Sequence, residues 1–270
     1  MVDLYQHRAR KRFGQNFLQD MNIIDRIMQA IHPLRTDHLL EIGPGRGALT
    51  QELLKEARQL DVIELDQDLI PLLNLRFGLN PAFHLHQGDA LKFNFAEIAL
   101  GNPLRVVGNL PYNISTPLIF HLLGYADVIK DMHFMLQKEV VERMAAEPGT
   151  GDWGRLTIMV QYFCQVEHLF NVPPAYFTPS PKVDSAIVRL TPYRILPFPA
   201  KDHKLLELVV REAFNQRRKT LRNTLKQILP IETIEQTGIN ASLRPEQLML
   251  ADFVKLADKL YDYKQSYKES

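Results

Sequence analysis

Cysteine is nearly absent from this 270-residue sequence, and long apolar runs are absent altogether. The single cysteine, Cys164, excludes an intrachain disulfide and is typical of proteins from a reducing compartment. No stretch reaches the ~18 consecutive apolar residues of a transmembrane helix, so we expect no membrane partner. The basic cluster at residues 8–12 has no apolar run after it, which argues against a secretory signal. We therefore expect a soluble, cytoplasmic protein.

The composition also excludes a disordered chain, a collagen-like fibre and a small disulfide-stapled scaffold. Hydrophobic residues make up 46% of the chain and charged residues 23%, which is ordinary for a globular protein with a real core. A chain of 270 residues has room for one large domain or two unequal ones.

The net charge of +1 conceals two strongly basic segments. Residues 1–19 carry four Lys/Arg against one acid, and residues 201–230 carry eight against three. Two basic segments in an otherwise mildly acidic chain predict that a polyanion binds at these segments rather than over the whole surface. The alternative is that both segments are ordinary solvated faces.

Between His38 and Thr191 the sequence alternates short apolar runs with amphipathic stretches. Runs of this kind stand at residues 38–42, 61–65, 83–86, 105–108 and 132–136, and helical spacing of Leu and Ile appears at 49–57 and 67–76. Strands that alternate with helices predict an α/β fold with a mostly parallel sheet covered by helices. Residues 156–166 and 185–190 read as two later strands, which suit an antiparallel pair at one sheet edge.

The pattern of apolar residues changes after Pro192. Pro197 and Pro199 mark a short linker, and beyond them apolar residues repeat at intervals of three and four, as in helices that pack one face. We expect a catalytic domain at residues 1–195 and a small all-helical domain at residues 196–270.

A glycine-rich turn follows the first predicted strand. Gly43, Gly45 and Gly47 stand at every second position, whereas the dinucleotide fingerprint spaces its last pair three apart. Glu64 ends the second strand, where a carboxylate can accept both ribose hydroxyls, and Asp89 ends the third, where one can accept from an adenine amine. The alternative for either acid is a helix cap. Together these residues resemble the cofactor site of class I S-adenosylmethionine-dependent methyltransferases.

The sequence Asn109-Leu110-Pro111-Tyr112 follows the fourth strand and matches a motif of enzymes that methylate exocyclic amino groups. An adenine N6 amine is a poor nucleophile, and two acceptors aimed at its hydrogens favour a pyramidal nitrogen. The Asn109 side-chain carbonyl and the Leu110 backbone carbonyl are the candidates. Pro111 restrains the backbone, and Tyr112 can stack on the base, a contact worth about 1–3 kcal/mol.

Five further segments extend the resemblance to a single family. They are Gly14–Leu18, Asn109–Pro117, Phe177–Ser185, Asn215–Arg222 and Arg244–Leu248. They resemble the KsgA/RsmA-type ribosomal RNA adenine dimethyltransferases over residues 8–260. The resemblance implies a Rossmann-like methyltransferase domain and two methyl groups on N6 of each of two adjacent adenosines. The implied substrate is the 3′-terminal hairpin of small-subunit ribosomal RNA.

The same resemblance implies roles for residues that their local pattern does not single out. Asn16 and Leu18 would contact S-adenosylmethionine beside Gly43, Glu64, Asp89 and Asn109. Phe177 would be a second aromatic that stacks on the adenine, the alternative being a core aromatic. Phosphate contacts are implied for Lys11, Arg12, Arg217, Arg218, Lys219 and Arg222. We expect no metal, a monomer, and the small ribosomal subunit as partner.

Three alternatives remain open at this point. An Erm-type enzyme would use the same chemistry on large-subunit RNA. A mainly non-catalytic assembly factor would use the scaffold to grip immature ribosomes. A nicotinamide-dependent oxidoreductase would explain the glycines and Glu64 but neither the Asn109–Tyr112 motif nor the basic helices. For the second methylation, we expect the modest size of Leu110 to leave room for the first methyl group.

Overall fold

The computed structural model describes residues 15–216 and 218–266, which contain nine strands and eleven α-helices. The strands are β1 (Phe17–Leu18), β2 (His38–Ile42), β3 (Gln59–Glu64), β4 (Phe83–Gln87), β5 (Leu104–Asn109), β6 (Ile129–Gln137), β7 (Cys164–Val172), β8 (Phe177–Thr178) and β9 (Ser185–Pro192). The helices are α1 (Met21–Ile31), α2 (Ala48–Glu56), α3 (Ile70–Phe77), α4 (Ala96–Ala99), α5 (Ser115–Leu123), α6 (Lys138–Met144), α7 (Arg155–Phe163), α8 (His203–Phe214), α9 (Leu221–Thr224), α10 (Ile231–Glu235) and α11 (Leu250–Ser266). No helix within these ranges is long and apolar enough to cross a membrane.

Seven strands form one mixed sheet in the order β4-β3-β2-β5-β6-β9-β7. The pairs β3–β4, β2–β3, β2–β5 and β5–β6 are parallel, and β9 runs antiparallel to β6. The mostly parallel sheet with a late antiparallel strand confirms the predicted fold class. Parallel strands end at the same edge, so the sheet gathers the residues that follow β2, β3, β4 and β5.

One predicted strand, at residues 156–166, is wrong over most of its length. Residues 155–163 form helix α7, and strand β7 begins only at Cys164. The helix is apolar over most of its surface, with Thr157, Ile158, Met159, Val160 and Tyr162 all buried. A continuous apolar run carries no period, so a buried helix and a buried strand look alike in sequence.

The chain divides into two compact units, and the division is not the single cut that we expected. One unit comprises residues 1–141 and 165–192, and the other comprises residues 142–164 and 193–270. The break after Pro192 lies close to the predicted boundary, but residues 142–164 group with the C-terminal helices. Long-range hydrogen bonds explain this, because Trp153 Nε1 donates to the carbonyl of Leu248 at 3.0 Å and the Gly149 amide donates to the carbonyl of Glu246 at 2.7 Å. As folding domains, residues 1–195 and 196–270 stay a prediction.

A buried arginine anchors the end of helix α1 in the first unit. The Arg105 guanidinium donates to the carbonyls of Ile31 and His32 at 2.6 and 3.2 Å, and also to the carboxylates of Asp37 and Asp131. These carbonyls belong to the last turn of α1, which has no further helical N–H groups to satisfy them. Arg105 lies on β5, so the contact holds the carboxyl end of α1 against the sheet.

Candidate active site

A cavity of about 590 Å³ opens at the carboxyl edge of the parallel strands, a size typical of small-molecule sites. It lies within the first compact unit. Nine predicted site residues line it: Asn16, Leu18, Gly43, Glu64, Asp89, Asn109, Leu110, Pro111 and Tyr112. Residues drawn from four strand ends and from the segment before α1 therefore meet in one place, which the resemblance alone could not show.

The glycine turn between β2 and α2 needs its glycines for two reasons. Gly43, Gly45 and Gly47 all have positive φ, at 70°, 58° and 81°, a conformation that L side chains rarely adopt. A Cβ on Gly45 would also lie 3.0 Å from the ring of Phe17, and one on Gly47 would lie 2.4 Å from the ring of Phe77. The turn therefore presents bare backbone to the cavity while its other side packs closely on aromatic rings.

Glu64 stands at the end of β3 with both carboxylate oxygens held by backbone. Its Oε1 accepts from the Asp66 amide at 2.8 Å, and its Oε2 accepts from the Gly45 amide at 3.3 Å. Burial raises the pKa of Glu64 to about 7, although these hydrogen bonds act in the opposite direction. Each oxygen has a further lone pair, so the carboxylate can still accept from the hydroxyls of a sugar.

A second buried acid, Glu41, lies on β2 and also lines the cavity. Its Oε2 accepts from the Thr50 hydroxyl at 2.6 Å, and burial raises its pKa to about 7, with the charge of Glu64 acting in the same direction. Two acids with raised pKa values in one cavity favour a cationic ligand, because a positive charge would stabilise their ionised forms. Glu41 was not among the predicted site residues, since its position within an apolar strand gave no signal.

Asp89 caps a turn rather than a helix and also lines the cavity, so its role as acceptor for an adenine amine stays a prediction. Its Oδ1 accepts from the Leu91 amide at 3.0 Å, which caps the turn after β4. The residue also lines the cavity, between Gly88 and Ala90. Leu65, with 46% of its surface exposed, also lines the cavity, so the lining offers both a carboxylate and an apolar side chain to a purine.

The Asn109–Tyr112 segment leaves β5 in a well-held conformation. Asn109 Nδ2 donates to the main-chain carbonyl of Asn16 at 2.8 Å, and the Leu110 amide donates to the carbonyl of Met135 at 3.1 Å. The Tyr112 hydroxyl and the Ser185 hydroxyl lie 2.7 Å apart and share a hydrogen bond. Burial raises the pKa of Tyr112, so its hydroxyl stays protonated and available for that bond. Ser185 ends one of the quoted segments, but only the tertiary structure links it to Tyr112.

Among the predicted catalytic and cofactor-binding residues, Phe177 is the one that does not line the cavity. Its side chain is only 4% exposed, belongs to the apolar core, and is absent from the cavity lining. Its backbone pairs with Leu18 in the two-stranded sheet of β1 and β8. In this conformation Phe177 is a core aromatic, and its stacking role stays a prediction.

The predicted phosphate contacts are only partly within the described residues. Lys11, Arg12 and Arg217 lie outside them. Arg218, Lys219 and Arg222 lie in the second unit around α9, and all three are exposed. Within the described ranges, no carboxylate forms an ion pair with any of the three. Three exposed cations without acidic partners are suited to binding a polyanion.

The fold and the cavity define the class of the protein as a class I methyltransferase. Its sheet order, the glycine turn after β2, the acid at the end of β3 and the Asn109–Tyr112 segment after β5 all belong to that class. The family model for ribosomal RNA adenine dimethylases matches residues 6–262. The chain belongs to the ribosomal RNA adenine dimethylase family, which confirms the resemblance drawn from its motifs.

Similar proteins are known from several organisms. The chain is 68% identical to "Ribosomal RNA small subunit methyltransferase A" of Pseudomonas putida over 98% of this chain and 100% of that protein. It is 70% identical to the protein of that name in Pseudomonas aeruginosa over 96% and 97%. Among solved structures, a dimethyladenosine transferase from Plasmodium falciparum has a TM-score of 0.78 at 28% identity, over 93% of this chain and 98% of that one. The 23S rRNA methyltransferase ErmE has a TM-score of 0.68 at 28% identity, over 91% and 100%.

Proposed function

We propose that this enzyme transfers methyl groups from S-adenosylmethionine to N6 of two adjacent adenosines in the 3′-terminal hairpin of 16S small-subunit ribosomal RNA. The observation that carries the chemistry is the orientation of Asn109, whose NH₂ group donates to a backbone carbonyl, while no group within residues 15–216 and 218–266 hydrogen-bonds its Oδ1, which can accept from a substrate amine. The identity of 68–70% to relatives named for the small subunit supports the choice of RNA over the Erm alternative.

The cavity fits S-adenosylmethionine in volume, charge and surface. Glu64 would accept hydrogen bonds from the ribose hydroxyls, and Asp89 would accept one from the adenine amine. The turn at residues 43–47 has no side chain at its glycines, so its backbone would pass close to the amino-acid end of S-adenosylmethionine. Asn16 and Leu18 would close the cavity from the opposite side. The bound molecule supplies a methyl group on a cationic sulfonium, whose leaving group is a neutral thioether. The two buried acids, Glu41 and Glu64, favour that positive charge.

The protein's contribution to the reaction is alignment. Asn109 Oδ1 and the Leu110 carbonyl accept hydrogen bonds from the two amine hydrogens, which directs the nitrogen lone pair toward the methyl group. Pro111 fixes the position of the carbonyl, and Tyr112 stacks on the base with its hydroxyl tied to Ser185. Asn109 is not a lasting base, so the amine proton leaves to water after the new N–C bond has formed.

The RNA is held by cations that make no base contacts. Lys11, Arg12, Arg217, Arg218, Lys219 and Arg222 would contact phosphates, which position the RNA without reading it. A hairpin loop exposes unstacked bases, so a target adenine reaches the cavity at modest cost. In this proposal the enzyme acts as a cytoplasmic monomer on the small subunit during its assembly.

The test uses the full chain, S-adenosylmethionine and small subunits from cells that lack the modification. After digestion, mass spectrometry should find N6,N6-dimethyladenosine, with two methyl groups on each of two adenosines. An Asn109→Ala variant should bind the cofactor and transfer far less. Transfer to large-subunit RNA alone would replace the proposal with the Erm activity. Cofactor binding without any transfer would replace it with the assembly factor.

A further inference from the structure

Residues 15–18, here called the N-terminal strap, line the cavity and contact several other parts of the first unit. Gln15 Nε2 donates to Asp66 Oδ2 at 2.9 Å, next to the acid that would hold the ribose. Phe17 packs on Gly45, and the Arg46 guanidinium lies 4.7 Å from the centroid of its ring. The backbones of residues 17 and 18 pair with β8. The position of the strap is therefore determined by contacts from three separate parts of the first unit.

The strap also makes a hydrogen bond with the reacting end of the cavity. The main-chain carbonyl of Asn16 lies 2.8 Å from Asn109 Nδ2. A carbonyl oxygen can only accept, so the NH₂ of Asn109 and not its Oδ1 must face the strap. Since the two ends of a planar amide are coupled, this bond determines where Oδ1 points.

We infer that the main-chain carbonyl of Asn16 orients Asn109 for catalysis, and that this site consequently requires asparagine rather than aspartate at position 109. The inference rests on the proposed function and adds a positioning role for the strap. An ionised aspartate would place two acceptors 2.8 Å apart and would be repelled from the strap. A protonated aspartate could donate to the same carbonyl and would restore the arrangement.

A continuous series of contacts links this hydrogen bond to the cofactor side of the cavity. Glu64 accepts from the Asp66 amide, Asp66 accepts from Gln15, and the next residue, Asn16, accepts from Asn109. The strap therefore joins the residue that would hold the ribose to the residue that orients the amine. A strap displaced from the glycine turn would leave Asn109 without its acceptor.

The first test compares Asn109→Asp with Asn109→Ala across pH, at saturating cofactor and in single-turnover transfer to unmodified small subunits. At pH 8 the aspartate variant should be roughly a hundredfold slower than wild type, because a buried acceptor has lost its donor. Between pH 8 and pH 6 its rate relative to wild type should rise about tenfold, whereas the alanine ratio stays flat. Dividing by the wild-type rate at each pH removes the titration of the other groups that line the cavity, which are Glu41, Glu52, Glu64, Asp89, Arg46, Arg76, Tyr112 and His133.

The second test keeps the inference falsifiable if the aspartate variant does not fold. Phe17→Ala, which loosens the strap, should slow transfer about tenfold in the wild-type background and less than twofold in the Asn109→Ala background. Such non-additivity is expected only if the strap acts through Asn109. An aspartate variant within threefold of wild type at pH 8, a flat aspartate ratio, or equal effects of Phe17→Ala in both backgrounds would overturn the inference. Absence of transfer by the wild-type enzyme would instead refute the proposed function.

Discussion

Replacement of Gly108 by alanine is expected to slow methyl transfer by pushing strand β5 away from strand β2. The backbone of Gly108 needs no positive φ, so the substitution tests space alone. Its Cβ would lie 2.6 Å from the main-chain oxygen of Ile42 and 3.0 Å from a methyl group of Leu110. A comfortable carbon–oxygen contact is about 3.3 Å, so the strands must separate by roughly 0.7 Å. The oxygen belongs to the main chain of β2, which also pairs with β3, so it can move only if the strand moves.

The displacement would act directly on the proposed active site. Asn109 follows Gly108, and Gly43 of the glycine turn follows Ile42, so the residue that would hold the amine and the turn that would hold the cofactor would move apart. A misplacement of about 1 Å is enough to cost roughly a hundredfold in rate, so we expect a ten- to hundredfold loss for Gly108→Ala. Overpacking should also lower the free energy of unfolding by about 1–3 kcal/mol.

The assay is single-turnover transfer at saturating cofactor, paired with urea unfolding. Gly151→Ala is the matched control, because a Cβ there meets nothing within 4 Å and the backbone has no positive φ. It should retain the wild-type rate and stability. Equal rates for the Gly108 and Gly151 variants would refute the reasoning that strand spacing at this point controls alignment.

Three further predictions follow from the site and the basic surface. Burial raises the pKa of Glu64 from 4.5 to about 7. Between these two pH values the ligand-free folded state keeps a proton on Glu64 that the unfolded state has lost. The free energy of unfolding should therefore fall as the pH rises from 4.5 to about 7. Glu64→Gln should reduce that slope in urea unfolding, and an unchanged slope would contradict the assignment. Combined alanine replacement of Arg218, Lys219 and Arg222 should lower the salt dependence of RNA binding by about 0.7–0.9 in log–log slope per lost phosphate contact, with cofactor affinity unchanged. Leu110→Phe should stop the reaction at N6-methyladenosine. The Leu110 side chain is only 1% exposed, so a larger side chain must extend into the cavity and occupy the space of the first methyl group. Leu110→Met, which is of similar volume, should still dimethylate. Full dimethylation by the phenylalanine variant would contradict the proposed role of this residue.

Local patterns were enough to predict much of the sheet and of the site. Most of the parallel strands are short apolar runs, and the residues assigned to the chemistry stand at or just after the strand ends, so topology places them at one edge whatever the details of packing. The glycine spacing, the acids after β3 and β4 and the Asn109–Tyr112 segment are all of this kind. The failure at residues 155–163 has the same origin, because an apolar run buried on all sides has no period that identifies a helix.

The features that only the tertiary structure decided are side-chain burial, the grouping of segments into units, and hydrogen bonds between residues far apart in the chain. The burial of the Phe177 side chain is set by tertiary packing beside the pairing of β8 with β1. Residues 142–164 join the C-terminal helices through hydrogen bonds that span about 95 positions. The hydrogen bond from Asn109 to Asn16 spans 93 positions and uses a main-chain carbonyl. Every residue type has such a carbonyl, so no sequence motif could indicate this contact. The sequence by itself was enough to predict the groups to which we assign the chemistry, because side-chain type and strand pattern are local. Their orientation and ionisation depend on burial and long-range partners, which exist only once the chain has folded.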